Sequence, residues 1–517
     1  IANTTEGRLS GYRLKSRNNR NFIGFSGIPY AKAPVGKLRF QDPQPPEPWK
    51  GIREAQFFGR MCLQSLHHVQ IIASAVVGSE DCLYLSIYTH NLKPEKLNPV
   101  LVYIHGGGFE YGSGEFEGRP GYFMDHDIVL VTMNYRLGLM GFLSMEDEVL
   151  PGNMGLKDQN MALKWIQRNI KNFGGDPNKV TIMGESAGGA SVYYHMISPL
   201  SKGLFQGAIS QSGTALSPWG YLQPGVARER AIKVAKAIRC PINSTKTMVD
   251  CLQQLDSREV MKQYKHFPMN QIEIRPTFAP VLDPASKNPF VPEDPHKMKS
   301  LPLPWMTGCS TIEGIVKSAY FTKFPNKYND VDSNFLNMTK IMLFKDNENV
   351  PKAVAARIKR YYFGNKTLSR EMAHNITDMF TDSWFIYPMI KSLLRHKGPN
   401  YVYYNTYQGK HSLQDAYAAH KFVNGTAHAD ELMYLWDYVI PLALEGEDLK
   451  FSKLLVKLWV NFATFGTPTP AGFNLDWPQW NEVSQKYLKF SNQGTSIEEK
   501  LLAERVTFWS SVMSRIK

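Results

Sequence analysis

The sequence predicts an α/β fold built on a large, mostly parallel central sheet flanked by helices, and three observations predict it. After the proline-rich stretch 43–48, short β-branched runs alternate with amphipathic stretches, the pattern of strand and helix in turn. Residues 99–104 (PVLVYI) and 128–133 (IVLVTM) are nearly unbroken apolar runs, as expected of central strands covered on both faces. A short strand over 180–183 then runs into a glycine-rich turn over 184–189, with a helix from Ala190 onward.

The elements follow in order. Between Lys157 and Lys171, the residues Met161, Ala162, Trp165, Ile166 and Ile170 recur at steps of three and four, which puts one apolar stripe on a helix. Gly174 and Gly175 end it. No internal repeat, low-complexity segment or linker interrupts the chain, so residues 1–517 read as one domain with helical insertions. At 43% hydrophobic and 20% charged, the 517 residues can bury a large core, which excludes a disordered tail. The balance of 59 Lys and Arg against 46 Asp and Glu gives +13. These cations are scattered among acids and aromatics, the pattern of a solvated surface, with an anionic partner as the alternative, and nucleic acid is not an expected partner.

Cysteines and sequons speak to compartment. Cys62 with Cys82 and Cys240 with Cys251 form two short loops, while Cys309 stands alone. Four buried thiols are the alternative. As disulfides, each loop contributes about 2 to 4 kcal/mol by restricting the unfolded chain. Asn-x-Ser/Thr sequons begin at Asn3, Asn243, Asn337, Asn365, Asn375 and Asn424. The chain starts at Ile1 without an apolar leader, so it reads as already processed. The longest apolar stretch, 69–77, falls far short of the roughly 20 residues of a membrane span. A secreted glycoprotein without a membrane anchor is the expectation.

The hexamer Gly184-Glu185-Ser186-Ala187-Gly188-Gly189 carries G-x-S-x-G between a strand and a helix. Such a turn holds a serine hydroxyl above the sheet, and small residues on either side let it close. Ser186 is the expected nucleophile, with the Ala187 amide donating to a developing oxyanion. A plain glycine turn is the alternative. A second cluster, His105-Gly106-Gly107-Gly108-Phe109, follows the strand ending at Ile104. Glycines there let backbone amides approach a substrate, and Gly107 and Gly108 are the expected further oxyanion donors. A dinucleotide loop fits poorly, because G-x-G-x-x-G is absent.

A serine hydroxyl also needs a histidine to take its proton and a carboxylate to orient that histidine. Here a resemblance narrows thirteen histidines. The motifs at 105–109 and 184–188 join Phe25-Ser-Gly-Ile-Pro-Tyr-Ala31, Glu80-Asp-Cys-Leu83, Asn134-Tyr-Arg-Leu-Gly138, Asp158-Gln159, Gln211-Ser-Gly213, Glu313-Gly314 and Trp477-Pro478. In this order, over nearly the whole chain, they resemble type-B carboxylesterases, the cholinesterase-like branch of the α/β-hydrolase fold, with an insect-like texture. The resemblance implies that His428, in Gly425-Thr-Ala-His428-Ala-Asp-Glu431, is the base and that Glu313 is the acid, with Asp283 as the rival acid. It further places Glu185 and Ser212 beside the triad in a supporting role and Trp219 in the acyl pocket, where a packed core tryptophan is the alternative. Cys309, four residues before Glu313, gets no catalytic role.

No aromatic residue lies between Cys62 and Cys82, where cholinesterases stack a quaternary ammonium. With the excess positive charge, this disfavours choline esters. The expectation is therefore a secreted serine carboxylesterase acting on uncharged small-molecule esters through an acyl-enzyme. No cofactor or metal is expected, since neither H-E-x-x-H nor C-x-x-C occurs. Juvenile hormone esterases resemble the scaffold too but generally carry Gln where this chain has Glu185. A non-catalytic binding protein, or one that sequesters esters or organophosphates with slow turnover, completes the alternatives. The sequence sets no oligomeric state.

Overall fold

The computed structural model describes residues 1–66, 75–116, 118–267, 276–344, 350–418, 422–437 and 442–516, so most of the apolar stretch 69–77 lies outside it. Its centre is an eleven-stranded sheet. The strands, in chain order, are β1 (Tyr12–Lys15), β2 (Asn21–Pro29), β3 (Tyr84–Thr89), β4 (Asn98–Ile104), β5 (Val129–Met133) and β6 (Gly175–Glu185). They continue with β7 (Gly207–Gln211), β8 (Trp305–Ser310), β9 (Asn400–Asn405), β10 (Lys486–Ser491) and β11 (Gly494–Glu499). Across the sheet they run β11-β10-β9-β8-β7-β6-β4-β5-β3-β2-β1. Strands β4 to β10 pair in parallel, while β1, β2, β3 and β11 pair antiparallel at the two ends.

The apolar runs explain the centre. In β4, Val100, Val102 and Ile104 enter one core cluster while Leu101 and Tyr103 enter another on the opposite face. β5 divides likewise, with Val129, Val131 and Met133 against Leu130. A strand with two buried faces has no polar side, and each fully buried aliphatic side chain contributes about 1.5–3 kcal/mol.

Helix α1 (Met154–Asn169) starts ahead of its predicted stripe and passes into a 3-10 turn, Ile170–Phe173, which Gly174 closes at φ 80°. Asp158 on α1 is fully buried and takes Arg136 N, Nε and Nη2, at 3.0, 2.8 and 2.7 Å. Helix α2 (Ala187–Ile197) is buried on all sides, as its apolar composition dictates. It begins earlier than the expected Ala190, and the glycine-rich turn shrinks accordingly, for the reason given below.

The insertions between β8 and β9 are helical: α3 (Ile315–Lys323), α4 (Lys352–Phe363), α5 (Ala373–Thr381), a π-helical turn Asp382–Ile386 and α6 (Tyr387–Arg395). Helices α7 (Gly446–Phe465) and α8 (Ala503–Met513) follow. A small sheet of Ala2–Asn3, Arg8–Ser10 and Ile52–Glu54 lies outside the central one. Cys62 is bonded to Cys82 and Cys240 to Cys251, whereas Cys309 is a buried free thiol. All six sequon asparagines are exposed. Among the described residues no helix is long and apolar enough to cross a membrane.

Candidate active site

Ser186 turns the chain alone. β6 runs to Glu185 and α2 starts at Ala187, so the whole reversal falls on one residue, at φ 55° and ψ −120°. A non-glycine residue held there costs about 1–3 kcal/mol, and tight surroundings enforce it. A Cβ at Gly184 would come within 2.4 Å of the Gly188 backbone, and one at Gly188 within 2.1 Å of Ile104 O. These absent side chains are why the expected six-residue turn closes in a single step. Ser186 N donates to Gln211 O at 2.8 Å, which ties the turn to the end of β7. Ala187 is the first residue of α2, so helix geometry leaves its N–H without an intrahelical acceptor.

The glycine loop after β4 packs on this turn. A Cβ at Gly106 would lie 3.3 Å from Ser186 Cβ and 2.9 Å from Glu185 Oε2. Gly107 and Gly108 have φ of 94° and 64°, and a Cβ at Gly107 would meet Tyr111 O at 2.0 Å. Only glycine fits position 107. His105, beneath them, is fully buried and stacked on Tyr135 at 4.5 Å.

Glu313 and His428 arrive from two loops that are bridged to each other. Ile312 N donates to Thr426 O at 3.0 Å, and Ile312 pairs with Ala427. Asp430 holds the histidine loop from behind, accepting from Ala427 N at 2.8 Å and Leu413 N at 2.7 Å. Glu313, fully buried, accepts from Ser212 Oγ at 2.6 Å and Ser310 N at 2.6 Å on one oxygen. Its other oxygen lies 2.5 Å from His428 Nδ1. His428 Nε2 faces Glu185 Oε1 at 3.0 Å. Among the described residues no hydrogen bond joins the imidazole to Ser186 Oγ, although Ser186 is the neighbour of Glu185. Such contacts commonly tighten only when substrate binds. Burial pulls His428 down, but the charges of Glu185 and Glu313 outweigh it and hold the imidazole up at about 9.

Of the remaining sequence-derived residues, Ser212 and Glu185 lie at this centre, while Asp283 does not. Ser212 touches Glu313, and Glu185 touches His428. Trp219 is buried, donating to Trp384 O at 3.2 Å and lying 5.8 Å from Phe385. Phe385 is the ring next to His428, at 5.1 Å. Asp283 is buried elsewhere, accepting from Phe290 N at 3.0 Å and Val291 N at 2.6 Å. Cys309 Sγ lies 3.6 Å from Met389 Sδ, and burial pushes its thiol well up, away from the reactive thiolate.

Four residues beside this centre, Phe385, Gln211, Ser310 and Glu431, get no role from the sequence. Phe385 comes from the π-helical turn, which carries no local motif. Gln211 bridges Glu431 at 3.0 Å and the Trp459 indole at 3.2 Å, and the backbone N–H of Ser310 is invisible to any side-chain motif. Glu431 stands three residues beyond His428 in the motif already quoted. Burial and the charge of Glu313 push it up to about 7.

A hydroxyl on a tight turn, backbone amides at its side and an imidazole backed by a buried carboxylate are the parts that acyl transfer requires. The carboxylesterase family model matches residues 1–509. Venom carboxylesterase-6 of Apis mellifera is 35% identical, covering 98% of this chain and 93% of its own length. Juvenile hormone esterase of Tribolium castaneum is 37% identical, over 98% and 92%. The crystal structure of juvenile hormone esterase from Manduca sexta, with OTFP covalently attached, superposes with a TM-score of 0.87 at 26% identity, covering 99% of both chains. The chain therefore has the α/β-hydrolase fold and belongs to the carboxylesterase family, as a carboxylic ester hydrolase.

Proposed function

We propose that the protein is a secreted serine carboxylesterase that cleaves uncharged esters of small molecules through an acyl-enzyme, with the whole chain acting as one domain. Ser186 Oγ attacks the ester carbonyl while His428 takes its proton, and Glu313 fixes the imidazole through Nδ1. Gly107, Gly108 and Ala187 donate backbone N–H groups to the oxyanion. The alcohol leaves with the proton from His428. Water, deprotonated by the same imidazole, then attacks the acyl group and frees the acid. The observation that carries this reading is the Glu313–His428 contact of 2.5 Å, placed beside the turn that strains Ser186. Two disulfides and six exposed sequons support secretion.

Turnover of a chromogenic short-chain ester by wild type and by Ser186→Ala tests it. The expected result is turnover with stoichiometric loss of activity to a covalent phosphonate, and a folded but inert variant. A folded wild type that neither turns over nor is labelled sinks the reading and favours a binding protein.

The two juvenile hormone esterases among the similar proteins support a second reading, hydrolysis of that hormone. Glu185, in place of the glutamine usual before the nucleophile there, weighs against it. Relative kcat/KM on juvenile hormone and on simple esters separates the two.

A further inference from the structure

The backbone from Trp49 to Met61 is clamped on its inner side. Ser26 N donates to Ala55 O and Ala55 N to Ser10 O, each at 2.9 Å, and Ala55 is fully buried. Trp49 Nε1 holds Arg8 O at 3.0 Å. A Cβ at Gly27 would lie 2.6 Å from Phe57 O, so β2 receives this segment at van der Waals distance. Its outer side carries large apolar side chains among charged ones. Phe57 is 77% exposed, Phe58 49% and Met61 41%. Asn134, itself buried, ties this segment to the next loop: its Nδ2 donates to Arg60 O and its Oδ1 accepts from Gly114 N. Two residues on from Gly114, Phe116 is 56% exposed. Large aromatic rings held outward on a clamped backbone stay available for contact, and such exposed apolar clusters mark interaction sites.

The charge beside these rings has one dominant sign. Lys50, Arg53 and Arg60 are exposed in the same segment, against Glu54 within it and the half-buried Asp81 beside it, which acts on the same Tyr84 as Arg53. We propose that this aromatic and cationic face docks the protein on anionic phospholipid bilayers. Rings enter the headgroup boundary while the cations meet lipid phosphates and carboxylates. The +13 of the whole chain draws the protein toward the same surface. A second copy of the chain fits less well, because a two-fold contact would set Lys50, Arg53 and Arg60 against their own counterparts. The loop that bears Phe116 also bears Gly107 and Gly108, so a docked molecule meets apolar esters dissolved in the lipid.

Co-sedimentation of the full chain with vesicles tests this, using phosphatidylcholine alone and phosphatidylcholine mixed with phosphatidylserine. Wild type is expected to bind the mixed vesicles, weakly or not at all the neutral ones, and to be released by salt. Phe57→Ser with Phe58→Ser, and separately Lys50→Gln with Arg60→Gln, should each weaken partitioning about tenfold. Val483→Ser, at a remote exposed site, should change nothing, and all variants should keep wild-type turnover of a water-soluble ester as evidence of folding. Failure of wild type to bind the mixed vesicles overturns the proposal, as does undiminished binding by the Phe57, Phe58 double variant. Equal binding to neutral vesicles overturns the electrostatic part. Dissociation of a wild-type dimer by the double variant, without lipid binding, assigns the face to a second copy instead.

Discussion

His195 and His428 are both buried, yet their surroundings push them in opposite directions. His195 sits between neutral partners, Ser201 Oγ at 2.7 Å on Nδ1 and Gln159 Oε1 at 3.1 Å on Nε2. Burial alone lowers it to about 3. His105, stacked on Tyr135 with Gly106 O at 2.9 Å, falls to about 4 for the same reason. His428 suffers the same burial and still rises to about 9, because a carboxylate faces each ring nitrogen. Burial keeps an imidazole neutral and structural, whereas burial between carboxylates makes it a base able to hold a proton. The contrast singles out the proposed base, His428, without reference to its motif.

The largest effect should come from removing the imidazole. His428→Ala is expected to lower kcat by about 10⁴- to 10⁶-fold, while His195→Gln leaves kcat within a few-fold of wild type. Steady-state kinetics on one ester compares the two, and a comparable loss in both would erase the distinction between them. Next in size, Glu313→Gln should cost about 10⁴-fold in kcat with little change in KM, because an amide at that position no longer stabilises the imidazolium. A loss confined to KM would show that Glu313 acts in binding.

How much of this contrast was legible in the sequence depends on what each residue's role rests upon. The strand, turn and helix around Ser186 were readable because such a turn needs small residues at fixed offsets, so geometry leaves a local imprint. β4 and β5 were readable for a similar reason, since burial on both faces removes the polar alternation. The single-residue turn at Ser186 was not, because its closure depends on Ile104 O and Gln211 O from strands remote in sequence. Glu185 was placed near the triad, but nothing in a row of letters says that its carboxylate meets Nε2 of His428. Phe385 left no trace, because a π-helical turn between two helices aims it at the imidazole. Local constraints write themselves into sequence, whereas contacts closed by distant segments do not.

Glu185 offers a smaller, sharper perturbation. A base must be neutral to accept the serine proton, so an imidazole held at about 9 predicts that kcat/KM rises with pH through that region. Glu185→Gln removes the negative charge on the Nε2 side and should move this limb to lower pH by roughly one unit, leaving its plateau within about tenfold. A pH–rate profile of both proteins measures it. A limb that stays in place would mean that Glu313 alone sustains the elevated imidazole.

The smallest effect concerns stability, and the two histidines should bend it in opposite senses. His195 is lower in the folded state, at about 3, than its ordinary 6.5. Below 6.5 the unfolded chain takes up a proton that the folded chain refuses, so this residue withdraws stability as pH falls from 6.5 toward 3. His428 is higher in the folded state, so its contribution is complete below 6.5 and is lost as pH rises through about 9. His195→Gln should therefore lower Tm at about pH 7, through imperfect refilling of its site, yet show a smaller further drop by about pH 4 than wild type. His428→Gln should do the reverse, flattening the decline on the alkaline side and sparing the acid one. Thermal melts across this range read both slopes. Parallel curves for wild type and His195→Gln would show that the neutral environment of His195 is not coupled to folding, and with it the opposition between the two buried imidazoles would lose its thermodynamic half.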